Sequence, residues 1–174
     1  VRRIHKVKTA ISIKETYSDE ELEKMRDNCE ELRDLAMIDM LASTGMRVGE
    51  MVLLNREDID YVERECVVFG KGDKERVVYF DARAKLHLHE YLESRTDDNP
   101  ALFVTKFGRR MTPHCVRAML YRISKRTGIE KLHPHRFRRT QITRLINHGM
   151  PIQNVSLLAG HSKIDTTMKY YYAS

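Results

Sequence analysis

A chain of 174 residues, 41% of them hydrophobic, is long enough to bury one core, and a single domain is expected. It has no run of eighteen apolar residues and no N-terminal signal-peptide pattern, which argues against a membrane partner or export and for the cytoplasm. The formal charge of +6 is uneven: residues 105–148 carry twelve Lys and Arg against one acid, Glu130, a net of +11 that leaves −5 for the rest, so a polyanion partner is expected for that block.

Residues 1–14 (VRRIHKVKTAISIK) are basic and lack helical period, and read as an extended lead-in to a domain over 15–174. Because the first residue is Val rather than Met, a partial or processed chain is expected. Ser18 with Glu21 forms a Ser-x-x-Glu capping box, which predicts an amphipathic helix to about Asn28. A second helix is predicted from about Glu31 to Ala42, dense enough in apolar residues to be a core helix. Gly45 then ends it, and the chain restarts with Arg47 in the first turn of a short helix running to Leu54. The helix macrodipole disfavours a cation there, so Arg47 needs an anion, and Glu50 is spaced to share its face and orient it.

Cys66–Phe69 and Arg76–Phe80 are β-rich runs on either side of Gly-Lys-Gly-Asp-Lys, the composition of a hairpin. Lys71 sits at its tip between two glycines, with Lys74 as its rival for any role in chemistry. Asp81–Glu93 reads as a helix whose His87 and His89 lie on different faces, which argues against a metal pair and for surface histidines. A polar loop, a short strand at Ala101–Thr105 and a basic turn at Lys106–Arg110 follow. Thr112 caps a helix that begins at Pro113 and runs to about Arg126, with Val116, Met119, Leu120 and Ile123 inward. Along the basic block, Arg109, Arg110, Arg117, Arg122, Lys125, Arg126, Arg136 and Arg139 are candidates for DNA-backbone contact. Cys29, Cys66 and Cys115 are widely separated without a CxxC and read as reduced, mostly buried thiols. Nucleotide-binding P-loop, zinc-protease and EF-hand patterns are absent.

The last stretch, LHPHRFRRTQITRLINHGMPIQNVSLLAGHSKIDTTMKYYY from Leu132 to Tyr172, holds residues suited to phosphate chemistry. Pro134 starts a helix in which His135 and Arg138, three apart, share one face. Gly149 and Pro151 mark a stop and a new start, Ile152, Val155 and Leu158 give the next short helix a buried side, and Gly160 breaks it before His161. One more short helix is expected to carry Tyr170. A guanidinium can fork two oxygens of one phosphate, and an imidazole exchanges protons near neutrality. A tyrosine hydroxyl, with a pKa near about 10, attacks phosphorus only where cations or a base activate it.

Arg47, Lys71, His135, Arg138, His161 and Tyr170, in that order, resemble the active-site signature of the tyrosine recombinase, or phage integrase, family. The motifs are TGMRVGE, GKGDKERVV, HRFRRT and LAGHSKIDTTMKYY, spread over about three quarters of the chain, and the flavour is similar to integrases of bacterial mobile elements. The resemblance implies a mainly α domain with a small antiparallel β-hairpin sheet. It implies that Tyr170 attacks a DNA phosphate, that Arg47, Arg138 and His161 hold its non-bridging oxygens, that Lys71 protonates the leaving 5′ oxygen and that His135 is the base. It further implies double-stranded DNA attachment sites as partners, a homotetramer on two sites, and no metal, ATP or other cofactor.

The sequence departs from the family at three points. Arg139 stands where the family often has His. Tyr170, Tyr171 and Tyr172 are consecutive, so Tyr171 is an alternative nucleophile. The chain stops four residues after Tyr170, where the family usually continues, so a truncated C-terminal tail and missing N-terminal DNA-binding domains are expected. A relaxing topoisomerase with the same chemistry and a non-catalytic DNA-binding module are the competing expectations.

Overall fold

A computed structural model describes residues 16–70, 72 and 74–161. Within them the chain forms α1 (Asp19–Asp27), α2 (Leu32–Thr44), α3 (Val48–Leu53), β1 (Ile59–Asp60), β2 (Glu65–Phe69), β3 (Glu75–Tyr79), α4 (Ala82–Ser94), α5 (Pro113–Thr127), α6 (Pro134–Asn147) and α7 (Ile152–Ala159). The fold is thus mainly helical with one small antiparallel sheet, as expected. The lead-in at 1–14, the helix expected around Tyr170, and Lys71, Tyr170, Tyr171 and Tyr172 lie outside the described residues.

Local signals set the helix ends. Ser18 Oγ accepts the Glu21 amide at 3.1 Å while the Glu21 carboxylate accepts the Ser18 amide at 3.0 Å, the reciprocal cap that the sequence predicted. Thr112 caps α5 by accepting the Cys115 amide, with Pro113 at the first helical position. Gly45, Gly128 and Gly160 close α2, α5 and α7 in the left-handed conformation.

Helix α2 is the central element. Ala36, Met37, Ile38, Met40 and Leu41 are completely buried, and the helix packs against α4 on one side and α6 on another. Each of the Met, Ile and Leu side chains removed from water contributes on the order of 1.5–3 kcal/mol. Val116, Met119, Leu120 and Ile123 of α5 face the same core, the inward face read from their spacing. A smaller cluster of Ile142, Val155 and Ala159 joins α6 to α7.

Several expectations are corrected. The sheet has a third strand, β1, paired with β2 through Ile59 and Cys66; two residues are too few to show a period. Ala101–Thr105 is not a strand: Ala101 and Val104 make isolated bridges to Asn55 and Arg110. The segment keeps backbone bonds from the Leu102 amide to the Leu54 carbonyl and from the Met111 amide to the Phe103 carbonyl, while Arg95 Nη1 donates to the Ala101 and Leu102 carbonyls at 2.6 and 3.0 Å and Arg33 Nη1 to the Val104 carbonyl at 3.3 Å. His87 is not a surface histidine. Its Nδ1 meets the carboxylate of Asp39, which is 1% exposed and also accepts Arg26 Nε at 2.6 Å. Among the described residues, no helix is long and apolar enough to cross a membrane.

Candidate active site

The turn after α2 brings the first basic residue into place. Gly45 adopts φ +63°, and two residues later Arg47 is the N-cap of α3, not part of its first turn as the sequence suggested. In that position Arg47 keeps an extended backbone, its amide donates to Glu50 Oε1 at 2.8 Å, and its guanidinium lies 3.7 Å from Glu50 Oε2. The side chain remains 38% exposed, so the charge is presented outward while its backbone is fixed. Glu50, 6% exposed, makes both of these contacts with Arg47.

Pro134 opens α6 and places His135 and Arg138 one turn apart on the same side. Arg138 is 6% exposed; its Nη1 donates to the Gly45 carbonyl at 3.0 Å and its Nη2 to the Ala159 carbonyl. A hairpin closed by the Gly70 amide on the Lys74 carbonyl at 2.8 Å, with Gly72 at φ +77°, brings Gly70 to the same region. A cavity of about 560 Å³ is lined by Arg47, Glu50, Gly70, Arg117, His135 and Arg138 among others.

His161 stands just past the αL glycine that ends α7, its amide donating to the Ser156 carbonyl at 3.1 Å. Burial, followed by the charges of Arg138, Arg47 and Arg76, pushes its imidazole down to about 4 from an ordinary 6.5. Arg138 and Arg76 hold the Ala159 and Leu158 carbonyls just before His161, which places it beside the cationic centre, although it is not a wall of the cavity. At neutral pH it is uncharged and has one N–H to donate. Of the six residues singled out, the structure therefore assembles Arg47, His135, Arg138 and His161, and Lys71 and Tyr170 fall outside the described residues. Among the described residues no cluster of His, Cys, Asp and Glu has metal-holding geometry.

The DNA-backbone candidates divide. Arg109, Arg117, Arg122, Lys125 and Arg126 are exposed, with Lys125 over the Tyr121 ring at 5.1 Å and Arg126 3.3 Å from Glu30. Arg139 is half-buried. Arg110 and Arg136 differ from these in donating to the fold itself. Arg110 Nη1 donates to the Val52 and Leu54 carbonyls, both at 2.9 Å, and its Nη2 to Asn55. Arg136 donates to the Glu130 and Thr16 carbonyls and lies 4.2 Å over the Tyr17 ring.

Sequence reasoning missed Arg76. Its side chain is 9% exposed, it forks Glu50, and its Nε donates to the Leu158 carbonyl at 2.9 Å. Strand alternation held the signal: Arg76 shares the inward side of β3 with Val78, and a cation on a buried strand face needs a partner.

The pattern of the Phage integrase family matches residues 15–174. Tyrosine recombinase XerC of Staphylococcus aureus is 36% identical over 168 residues, covering 91% of this chain and 56% of that protein. The crystal structure of XerA recombinase superposes with a TM-score of 0.81 at 29% identity, covering 90% of this chain and 59% of that one. XerH site-specific recombinase bound to difH substrate in a pre-cleavage complex gives 0.75 at 26% identity, over 89% and 49%. The chain spans about half the length of the curated relatives it matches.

Proposed function

The chain belongs to the phage integrase family, and on that premise we propose that residues 15–174 form the catalytic domain of a site-specific DNA recombinase that cuts and rejoins strands through a 3′-phosphotyrosyl intermediate. The observation that carries the proposal is the convergence of Arg47, His135 and Arg138 on one cavity, with His161 beside them under the same guanidinium charge.

Arg47 and Arg138 hold the two non-bridging oxygens of the scissile phosphate, and neutral His161 donates a further hydrogen bond. Each such donor is worth on the order of 10²–10³ in rate when removed. The Tyr170 phenol oxygen attacks phosphorus while His135 takes its proton. The bond from phosphorus to the 5′ oxygen breaks, and Lys71 protonates the leaving oxygen; proton transfers of this kind are worth about 10²–10⁴ each. The phosphotyrosyl ester keeps the bond energy, so a second strand's 5′-hydroxyl reverses the step without ATP. Arg117 at the cavity wall and the exposed Arg109, Arg122, Lys125 and Arg126 hold the flanking backbone. The DNA is double-stranded, the working assembly is a homotetramer on two sites, the compartment is the cytoplasm, and the reaction serves integration or excision of a mobile element.

The test starts from a pool of nicked duplexes with a randomised core. Adducts that survive denaturant are recovered and their DNA sequenced. Enrichment of one sequence, with the adduct lost in Tyr170→Phe and kept in Tyr171→Phe, supports the proposal. An equal adduct in Tyr170→Phe, or none with the native protein, would sink it. Relaxation of arbitrary supercoiled plasmids would favour a topoisomerase. Enriched sequences that match no element ends would remove the mobile-element part alone.

A further inference from the structure

Three pieces of the proposed site come from separate elements: the β2–β3 hairpin, the α2–α3 turn and the end of α7. One side chain bridges all three. Arg76 leaves β3 opposite Val68 and is 9% exposed, and its Nη2 donates to Glu50 Oε1 at 2.8 Å while its Nη1 meets Glu50 Oε2. The same Glu50 oxygen, Oε1, accepts the Arg47 amide at 2.8 Å, so one carboxylate ties the arginine of the hairpin to the N-cap of α3. Arg76 Nε donates at 2.9 Å to the carbonyl of Leu158, three residues before His161.

The surroundings are shaped for this guanidinium. A Cβ on Gly160 would lie 2.8 Å from Arg76 Nη1 and 2.9 Å from its Cζ, and Gly160 also needs φ +70°. The last carbonyls of a helix have no intrahelical partner and carry the negative end of its dipole. Arg76 takes the Leu158 carbonyl and Arg138 the next one, at Ala159. The end of α7 is therefore gripped by two guanidiniums, one from the hairpin and one from α6.

We infer that Arg76 is a positioning residue for the proposed strand transfer: its fork to Glu50 and its bond to the Leu158 carbonyl set the hairpin that contains Lys71, the turn that presents Arg47 and the helix end that presents His161 in one register. The inference rests on the recombinase reading for its catalytic meaning. The planar fork is what the geometry uses, because three donors in one plane reach two elements at once and a lysine ammonium offers only a point charge. A misplacement of about 1 Å among groups that must act together costs on the order of 10² in rate.

The experiment compares Arg76→Met, Arg76→Lys and Gly160→Ala with the native protein. Adduct formation is followed on the selected nicked duplex at saturating DNA, and affinity on the same duplex is measured separately. Expected is a loss of about 10²-fold in rate in Arg76→Met and Gly160→Ala, a loss of at least about tenfold in Arg76→Lys, and affinity within about threefold of native in all three. Gly160→Ala displaces the guanidinium while leaving its charge in place, so it carries the test even if Arg76→Met does not fold. A rate within about threefold of native in the folded variants, or full recovery by Arg76→Lys, overturns the inference, since a charge effect would then suffice. If the native protein itself forms no adduct, the recombinase reading fails. Amide spectra without DNA then decide the geometry alone: shifts at both Arg47 and His161 in Arg76→Lys sustain the bridge, and unmoved resonances refute it.

Discussion

Arg138 Nη1 donates to the carbonyl of Gly45 at 3.0 Å, a hydrogen bond spanning 93 residues of chain. It joins the turn that presents Arg47 to the helix that presents His135. The bond depends on Gly45 twice: its φ is +63°, and a Cβ there would lie 2.9 Å from Gln141 Cβ. Gly45→Ala should therefore lower stability by at least ~1–2 kcal/mol, the cost of a left-handed residue with a side chain, and should also slow adduct formation by moving Arg138. Gly49, inside α3 with open space around its Cα, is the contrast. Gly49→Ala should raise stability by about 0.5–1 kcal/mol. Urea unfolding of the two variants checks both signs.

His161 gives the protein a pH-dependent contribution of known sign. Its folded pKa of about 4 lies below the ordinary 6.5, so as pH falls the unfolded chain takes up a proton before the folded one does. The contribution is complete above about 6.5 and is lost as pH drops through the window to about 4. His161→Gln should flatten the fall in melting temperature across that window relative to native protein. An anion in the cavity offsets the charges of Arg138, Arg47 and Arg76 that help depress the ring, so sulfate or DNA should raise the titration midpoint of the His161 imidazole, followed by NMR.

Much of this arrangement was legible from local chemistry. The capping box at Ser18, the Thr112–Pro113 start and the glycine stops at Gly45 and Gly160 depend on neighbours within four residues, and each element formed where it was expected. His135 and Arg138 were paired by helical spacing alone, and share the cavity. The rest depended on long-range partners. Whether a guanidinium faces DNA or a carbonyl is decided by what lies opposite it: Arg110 meets the chain 58 and 56 residues away, Arg136 reaches Thr16, and Arg76 reaches Leu158 across 82 residues. A charge count over residues 105–148 treats Arg110 and Arg136 like the exposed arginines of α5, and it does not reach Arg76. His87 was misread for the same reason, since its partner Asp39 sits on another helix.

The division among the arginines can be measured. Arg110→Ala removes a guanidinium that satisfies two backbone carbonyls and Asn55, and should cost about 1–3 kcal/mol while leaving the salt dependence of DNA binding unchanged. Arg122→Ala and Lys125→Ala, on the exposed side of α5, should do the reverse. Stability should stay within about 0.5 kcal/mol, and the slope of log affinity against log salt should fall by about 1 for each phosphate that is no longer neutralised. Salt titrations by fluorescence anisotropy, beside thermal melts, separate the two groups.

The buried carboxylate of Asp39 holds three helices at one point, accepting Arg26 Nε of α1 at 2.6 Å and meeting His87 Nδ1 of α4 from its own place in α2. At 1% exposure it has almost no water to fall back on, and Arg26, whose side chain is 13% exposed, has little more. Asp39→Ala takes this acceptor from both partners and should cost about 3–5 kcal/mol. Because the network lies apart from the cavity lining, folded Asp39→Ala at low temperature should keep DNA affinity near native. Urea melts and anisotropy on the same sample check the pair of outcomes.

The choice between Lys71 and Lys74 can be made with a substrate. A general acid matters because a 5′ alkoxide is a poor leaving group and must be protonated as the bond to phosphorus breaks. Replacing the bridging 5′ oxygen with sulfur removes that need, since a thiol of pKa near about 8.5 leaves readily as the thiolate. Lys71→Ala should therefore slow adduct formation on the oxygen substrate by about 10²–10⁴ and regain a near-native rate on the sulfur substrate. Lys74→Ala, whose backbone carbonyl closes the hairpin on the Gly70 amide and survives the substitution, should show little change on either substrate. If rescue by sulfur appears in Lys74→Ala and not in Lys71→Ala, the proton donor is Lys74.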